Sequence, residues 1–415
     1  MDTPVQRVDA DRLWSRLMAM AEIGATPAGG SNRQALSDDD AAGRELFVGW
    51  AREAGCTVAM DRIGNLFVRR PGRDPELPPV MTGSHLDTQP TGGRFDGVYG
   101  VLGGLEVIER LNDLGIVTRH PIEVVVWTNE EGSRFPRSMM GSGVWAGQAN
   151  LEATYALCDL DGISVGDELE RLGWVGELPA APRPLAAYLE LHIEQGPILE
   201  TEGVEIGVVT GVQGLRWYNV TIHGFPSHAG PTPMQVRRDP AKAIARLVAD
   251  VYAAVDDAGP AARATFAMFR SEPSSPNTVP ERLQCTLDLR HPDRAVLDEL
   301  ESRMRTIARR VADECGVTVD IDLGNDSPPV VFDADCVTAV DTAAEALALS
   351  RRSMVSGAGH DACYVAGVAP TAMIFVPCEG GLSHNEAEAI TQEQAEHGAS
   401  VLLGAICAIA EVVEP

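Results

Sequence analysis

Residues 80–131 read VMTGSHLDTQPTGGRFDGVYGVLGGLEVIERLNDLGIVTRHPIEVVVWTNEE. Val80–Ser84 and Ile122–Thr128 are short apolar runs of the length of buried strands, and Val98–Leu114 between them repeats its apolar residues at helical spacing. Strand, helix and strand in this order predict α/β layers: a mostly parallel sheet with helices on both faces. Working outward, Tyr188–His192 and Thr371–Val376 read as further strands, and Asp39–Ala54, Asp335–Leu349 and Gln392–Val412 as further helices. Ionisable residues directly follow the strand runs, in SHLD, TNEE and HIEQ. In an open α/β sheet this is the carboxyl edge, where ligands bind.

The rhythm changes between about Gly211 and Pro328. Arg216–His223 alternates like a half-buried strand, Thr265–Arg270, Leu283–Leu289 and Thr318–Asp322 read as strands, and Asp239–Asp256 and Leu297–Cys315 as amphipathic helices. Ionisable clusters lie on both sides of this α+β block. The pattern predicts a discontinuous catalytic domain, residues 1–210 and 329–415, interrupted by an inserted domain at 211–328.

The chain has 415 residues, with 60 Asp and Glu against 33 Lys and Arg, for a formal net charge of −27. Nothing gathers the basic residues into a stripe, so nucleic acid and anionic membranes are poor partners. No apolar run approaches the ~18 residues of a membrane span, and MDTPVQRVDADRLW mixes charges where a signal peptide needs a basic and then an apolar run. A soluble, cytoplasmic protein is expected. Eight cysteines are scattered without CxxC spacing and read as mostly buried, reduced thiols.

Five potential metal ligands stand in short glycine-bounded contexts: His85 in GSHLDT, Asp96 in GGRFDGVYG, Glu131 in TNEEGSRF, His192 in LHIEQGP and His384 in GGLSHNEAE. Imidazole and carboxylate together suit zinc or a similar divalent ion. Three histidines and two carboxylates suffice for two ions if one carboxylate bridges them. Asp87, two residues after His85, is placed to stand behind the imidazole and accept its second N–H. Glu130, next to Glu131, is a candidate general base toward a water. Taken singly, each residue reads first as a structural loop residue, and the Glu130–Glu131 pair as a solvated loop.

The order HLDT, FDGVYGVLGGLEV, TNEEGSRF, LHIEQGP, a segment SHAGPTPM and GLSHNEAE resembles the M20 metallopeptidase superfamily. More closely it is similar to the amidohydrolase branch of N-carbamoyl-L-amino-acid hydrolases, β-ureidopropionases and allantoate amidohydrolases. The resemblance runs from residues 26–40, TPAGGSNRQALSDDD, to Glu388. A histidine at position 192, followed by Glu194-Gln195-Gly196, resembles that branch, whereas aminoacylase and dipeptidase members usually place a carboxylate there.

The resemblance implies two divalent ions, zinc first, with manganese, cobalt or nickel as substitutes. His85 and His192 would hold one, Glu131 and His384 the other, with Asp96 bridging and Glu130 as base. It implies that Gln195 meets the substrate's terminal amide or ureido nitrogen, and that Asn277 of PNTVP and Arg290 of LDLRH bind substrate, Arg290 by a fork on its carboxylate. His228 of SHAG would polarise the scissile carbonyl. The inserted domain would dimerise two chains and act as a lid, bringing His228 to the partner's active site. By residue type alone, His228 reads as a loop histidine, Arg290 as a surface arginine and Asn277 as a turn residue. His360, in SGAGHDA, matches a family segment and takes a substrate-adjacent or supporting role.

The expected activity is hydrolysis of the ureido C–N bond of N-carbamoyl amino acids to amino acid, carbon dioxide and ammonia. Cleavage of allantoate-type ureides and of N-acyl amino acids or dipeptides are alternatives within the same chemistry. A catalytically silent, metal-stabilised binding dimer is the alternative of a different class. Two divalent ions and Arg290 outweigh the charges of Asp96, Glu130 and Glu131, so a small anionic substrate is compatible with an acidic chain.

Overall fold

The apolar runs Val80–Ser84 and Ile122–Thr128 lie at the centre of a nine-stranded sheet. The computed structural model describes residues 6–413, so the first five residues of the N-terminal stretch read above lie outside the described residues. The chain divides into two compact units, Met1–Gly211 with Val331–Pro415, and Val212–Val330. Among the described residues no helix is long and apolar enough to cross a membrane.

In the first unit, helices α1 (Ala10–Ala21) and α2 (Asp38–Glu53) precede strands β1 (Thr57–Met60), β2 (Leu66–Arg70) and β3 (Val80–His85). Then come α3 (Val98–Asp113), β4 (Ile122–Trp127), β5 (Ala187–Ile193) and β6 (Ile206–Val212). After the insertion follow α4 (Ala334–Ala346), β7 (Arg351–Ser356), β8 (Thr371–Val376) and α5 (Gln392–Ile409). The strand order is β1-β2-β4-β3-β5-β8-β6, with Val330–Val331 beyond β6 and β7 also paired to β6.

The four central strands, β4, β3, β5 and β8, pair in parallel, while β2 and β6 run antiparallel on the flanks. Every residue of those four strands is buried, which is why they read as continuous apolar runs without alternation. The strand ends fall within one residue of the expected limits. The last helix stops at Ile409 and not at Val412, because Glu411 turns with φ 54° and Val412 pairs with Thr118 in a short strand.

Helix α3 packs on β3, β4 and β5 through a face of glycines. A Cβ on Gly100 would stand well inside 3.0 Å of the Leu191 carbonyl oxygen, and one on Gly104 would crowd Thr82 and Val124. The helix therefore lies directly on the strands, and its first residues reach the carboxyl edge of the sheet. Leu102, Leu105 and Ile108 of α3 join Val124, Val126, Leu189, Leu191, Leu402 and Ile406 in the core. Ser37 caps α2, and Thr391 with Gln394 forms a capping box on α5.

The second unit is a four-stranded antiparallel sheet in the order Arg263–Glu272, Arg282–His291, Gly214–His223, Thr318–Ser327. Burial alternates residue by residue along Arg282–His291, as period-2 patterning requires. Helices Pro240–Asp257 and Arg294–Cys315 cover the inner face, with Leu247, Val251, Leu297, Leu300 and Met304 packed against Tyr218, Val220, Leu287 and Leu289. Thr318–Ser327 is longer than its expected Thr318–Asp322, continuing through an irregularity between Leu323 and Asn325. In this unit Arg216, nearly buried, is held by Asp298, Glu301 and Asp326.

Replacing a mid-helix glycine by alanine ordinarily gains about 1 kcal/mol. Exposed Gly49 of α2 has open space around it, so Gly49→Ala is expected to raise the midpoint of thermal unfolding. Gly100→Ala forces a backbone clash worth ~1–3 kcal/mol and is expected to lower it. Equal shifts in scanning calorimetry would contradict the close packing of α3.

Candidate metal centre

Four loops meet at the carboxyl edge of the first unit. β3 ends at His85, β4 runs on to Glu130 and Glu131, β5 carries His192 and leads to Gln195, and β8 leads to Ser383 and His384. Asp96 stands just before α3. Gly97 between them has φ 68°, and a Cβ there would stand well inside 3.0 Å of the His85 ring, so only glycine fits. Asn129, Gln195 and His384 hold left-handed φ values of 53°, 57° and 53°. Such strain in non-glycine residues concentrates at functional loops.

Asp96 organises the cluster. Its Oδ1 lies 3.1 Å from His192 Nε2 and 3.7 Å from His85 Nε2, and its Oδ2 lies 3.5 Å from His384 Nε2. Glu131 Oε2 is 3.2 Å from His384 Nε2, and Glu130 Oε2 is 3.6 Å from His85 Nε2. The donors thus form two groups sharing Asp96, one with His85 and His192 and one with Glu131 and His384, each within 4.8 Å internally. One carboxylate offering a different oxygen to each group is the arrangement of a bridging ligand.

The second nitrogen of each buried imidazole is already engaged. His85 Nδ1 is 2.8 Å from the Asp87 carbonyl oxygen and His192 Nδ1 is 3.0 Å from the Ile193 carbonyl oxygen, which leaves Nε2 facing Asp96. This corrects the expectation for Asp87, whose backbone and not its carboxylate meets His85. After β3 the backbone runs on to pair Thr88 with Arg33, and the Asp87 side chain points at the segment after β4 instead. There it accepts the backbone N–H groups of Glu130 and Glu131, both at 3.2 Å.

The electrostatics favour a cation. Burial, then the charges of Asp361, Glu131, Asp87 and Asp96, push Glu130 well above the ordinary carboxylate range. Burial also raises Asp87 to about 6. Burial opposes ionisation of Asp96, but the hydrogen bond and charge of His192 outweigh it and hold Asp96 far below its usual value. The hydrogen bond with Glu131 raises His384 to about 9. Burial lowers His192, yet Asp96 overrides it and raises the ring to about 9. So many buried acids around three imidazoles are a donor set that fits divalent cations.

His360 is buried behind His192. Its ring stands 4.6 Å from the His192 ring, edge to face, and its Nε2 is 2.9 Å from Ser356 Oγ. Glu190, His192 and His360 form a third group of donors, but Glu190 already accepts from the Ser84 hydroxyl and the Ala362 N–H. Gln195 donates through Nε2 to Asp96 Oδ2 at 2.7 Å, while its Oε1 is buried without a hydrogen-bond partner.

Within the second unit, His228 and Asn277 are neighbours: His228 pairs with Thr278, and the Ala229 N–H donates to the Asn277 carbonyl at 2.8 Å. Both side chains are exposed. Arg290, expected to fork onto a substrate carboxylate, instead forks onto Asp288 of its own strand. Sequence reasoning missed Ser383, Glu388 and Gln89. Ser383 Oγ is 2.7 Å from Asp96 Oδ2, and Gln89 Nε2 donates to Glu131 at 2.8 Å. Glu388 lies four residues after His384, and that placement within HNEAE was the one available signal.

The fold and this cluster define a metal-dependent hydrolase of the M20 type: residues 81–408 match Peptidase family M20/M25/M40, and the chain belongs to that family. Among its relatives is the N-carbamoyl-L-amino-acid amidohydrolase of Rhizobium meliloti, 50% identical over 99% of this chain and 98% of the relative. The allantoate amidohydrolase of Escherichia coli is 37% identical over 89% of this chain and 90% of its own length. A crystal structure of an amidase of the hydantoinase/carbamoylase family from Burkholderia multivorans superposes with a TM-score of 0.95, at 54% identity, covering 98% of this chain and 99% of that one.

Without a cation, His192 and His384 stay protonated up to about pH 9. Their raised values stabilise the cation-free fold fully below the ordinary histidine range, and that contribution is lost as pH rises through about 9. Each ring must be neutral to ligate, so cation affinity is expected to rise with pH across this window. Calorimetric titration at pH 7.5 in buffers of different ionisation enthalpy should register about two protons released per chain. No buffer dependence would contradict this ligand set.

Proposed function

We propose that this protein hydrolyses the ureido C–N bond of N-carbamoyl-L-amino acids, yielding amino acid, carbon dioxide and ammonia. The observation that carries the reading is Asp96 offering one oxygen to each donor group with Glu130 beside His85. His85 and His192 would hold one divalent ion, Glu131 and His384 the second, and Asp96 both, with zinc the first candidate. Such ions supply a lowered water pKa and a polarised carbonyl.

The chain's own residues do the rest. Glu130 takes the proton of the attacking water and returns it to the leaving nitrogen as the C–N bond breaks. The carbamate so formed loses carbon dioxide. Gln195 Oε1, buried and unpartnered, suits the terminal NH2 of a ureido group, a donor that an acyl group lacks. His360 packs behind His192 and keeps its ring in place.

His228, Asn277 and Arg290 of the inserted unit complete the site in this reading, with His228 hydrogen-bonding the carbonyl oxygen as charge develops there. Asn277 contacts the substrate, and Arg290 exchanges Asp288 for the substrate carboxylate. The inserted unit dimerises two chains and serves as the lid, so these groups arrive from the partner subunit. The adjacency of His228 and Asn277 supports a shared role. Eight unpaired cysteines support a reducing, cytoplasmic setting.

Initial rates on N-carbamoyl-α-amino acids, N-carbamoyl-β-alanine, allantoate and N-acyl amino acids test the substrate class. N-carbamoyl-L-α-amino acids are expected to lead, and a lead for allantoate would overturn the assignment. Glu130→Gln should keep its metal and lose at least ~100-fold in kcat. Full activity in that variant would remove Glu130 as base. Mixing Glu130→Gln with His228→Ala chains should restore roughly a quarter of wild-type activity if His228 acts across the dimer. No restoration would place it in its own subunit's site.

A further inference from the structure

The loop that supplies His384 also carries Glu388, whose buried carboxylate reaches back to the loop of Asp96. Glu388 Oε1 accepts the backbone N–H of Phe95 at 2.9 Å and that of Asp96 at 3.0 Å. Its Oε2 lies 3.2 Å from Ser383 Oγ, and that hydroxyl stands 2.7 Å from Asp96 Oδ2. Glu388 therefore grips Asp96 directly at the backbone, and its other oxygen stands beside the Ser383 hydroxyl that donates to the Asp96 side chain. Gly93 makes the room, because a Cβ there would stand well inside 3.0 Å of the whole Glu388 carboxyl group.

We infer that Glu388 is a positioning residue that presets Asp96 to serve both donor groups at once. The inference rests on the bridging reading of Asp96. A ligand of a single ion tolerates some rotation, since the ion follows it. A bridging carboxylate does not, because turning toward one group withdraws an oxygen from the other. Two amides fix the backbone from which the Asp96 side chain departs, and Ser383 fixes its outer oxygen. The brace also ties the Asp96 loop to the loop that supplies His384, so both groups share one reference point.

The test is calorimetric titration of Zn2+ or Mn2+ into metal-stripped, full-length protein, with a chelator as competitor. Wild type is expected to take up two ions per chain. Glu388→Ala should weaken uptake by ~10–100-fold, and Gly93→Ala, which displaces the same carboxylate, should do likewise. Glu388→Gln keeps an oxygen for both amides and should stay near wild type, which a mere requirement for buried charge would not predict. Unchanged affinity in Glu388→Ala or in folded Gly93→Ala would overturn the inference, as would Glu388→Gln as weak as Glu388→Ala. If Glu388→Ala does not fold by circular dichroism, the Gly93→Ala and Glu388→Gln pair decides. A wild type that binds no second ion would instead overturn the bridging reading itself, a result distinct from tight wild type with equally tight Glu388→Ala.

Discussion

Asp96 has two oxygens and faces donors that arrive on four loops, and much of the first unit follows from that demand. His85 and His192 come from neighbouring parallel strands, so the sheet sets their spacing. Glu131 and His384 come from loops beyond β4 and β8, which the sheet alone does not hold. Asp96 itself starts at the foot of α3, and it reaches the cluster because glycines let that helix lie on the strands. A larger residue at Gly97 or Gly100 would lift Asp96 from its partners. Close packing here is a condition for the chemistry as much as for stability.

The same device secures two of these loops. Asp87 accepts the backbone N–H groups of Glu130 and Glu131, and Glu388 accepts those of Phe95 and Asp96. In each case a buried acid from one loop grips consecutive amides of another, next to the acidic side chains of the site. Such charge-assisted hydrogen bonds are worth roughly 1.5–3 kcal/mol apiece. They engage only backbone amides and so use none of the side-chain oxygens of Glu130, Glu131 or Asp96. The cost is a dense group of buried acids, visible in the raised values of Glu130 and Asp87, and cations relieve it.

Much of this was legible in the chain. The parallel strands showed as apolar runs because both of their faces are buried, and the inserted unit showed as a change to alternation because one face of its sheet is open. The cluster residues were legible only jointly, because each one alone reads as a loop residue and it was the order of the motifs that resembled a known family. Asp87 was misread in detail. Its position two residues after His85 was informative, but which of its groups faced the ring depended on the backbone path after β3. Ser383 and Glu388 gave no comparable signal, since a serine or glutamate in a polar loop is ordinary until its partners are known.

The sequence by itself determined the alternation of strand and helix, because local periodicity is a property of the chain. Tertiary structure alone decided how Asp96 divides its oxygens, that Gln195 keeps a buried acceptor unpaired, and that Asp288 already occupies Arg290. The first two involve groups far apart in the chain, and the third depends on which way two neighbouring side chains of one strand turn. The loop contacts exist only once the loops are anchored in space, and no spacing along the chain encodes them.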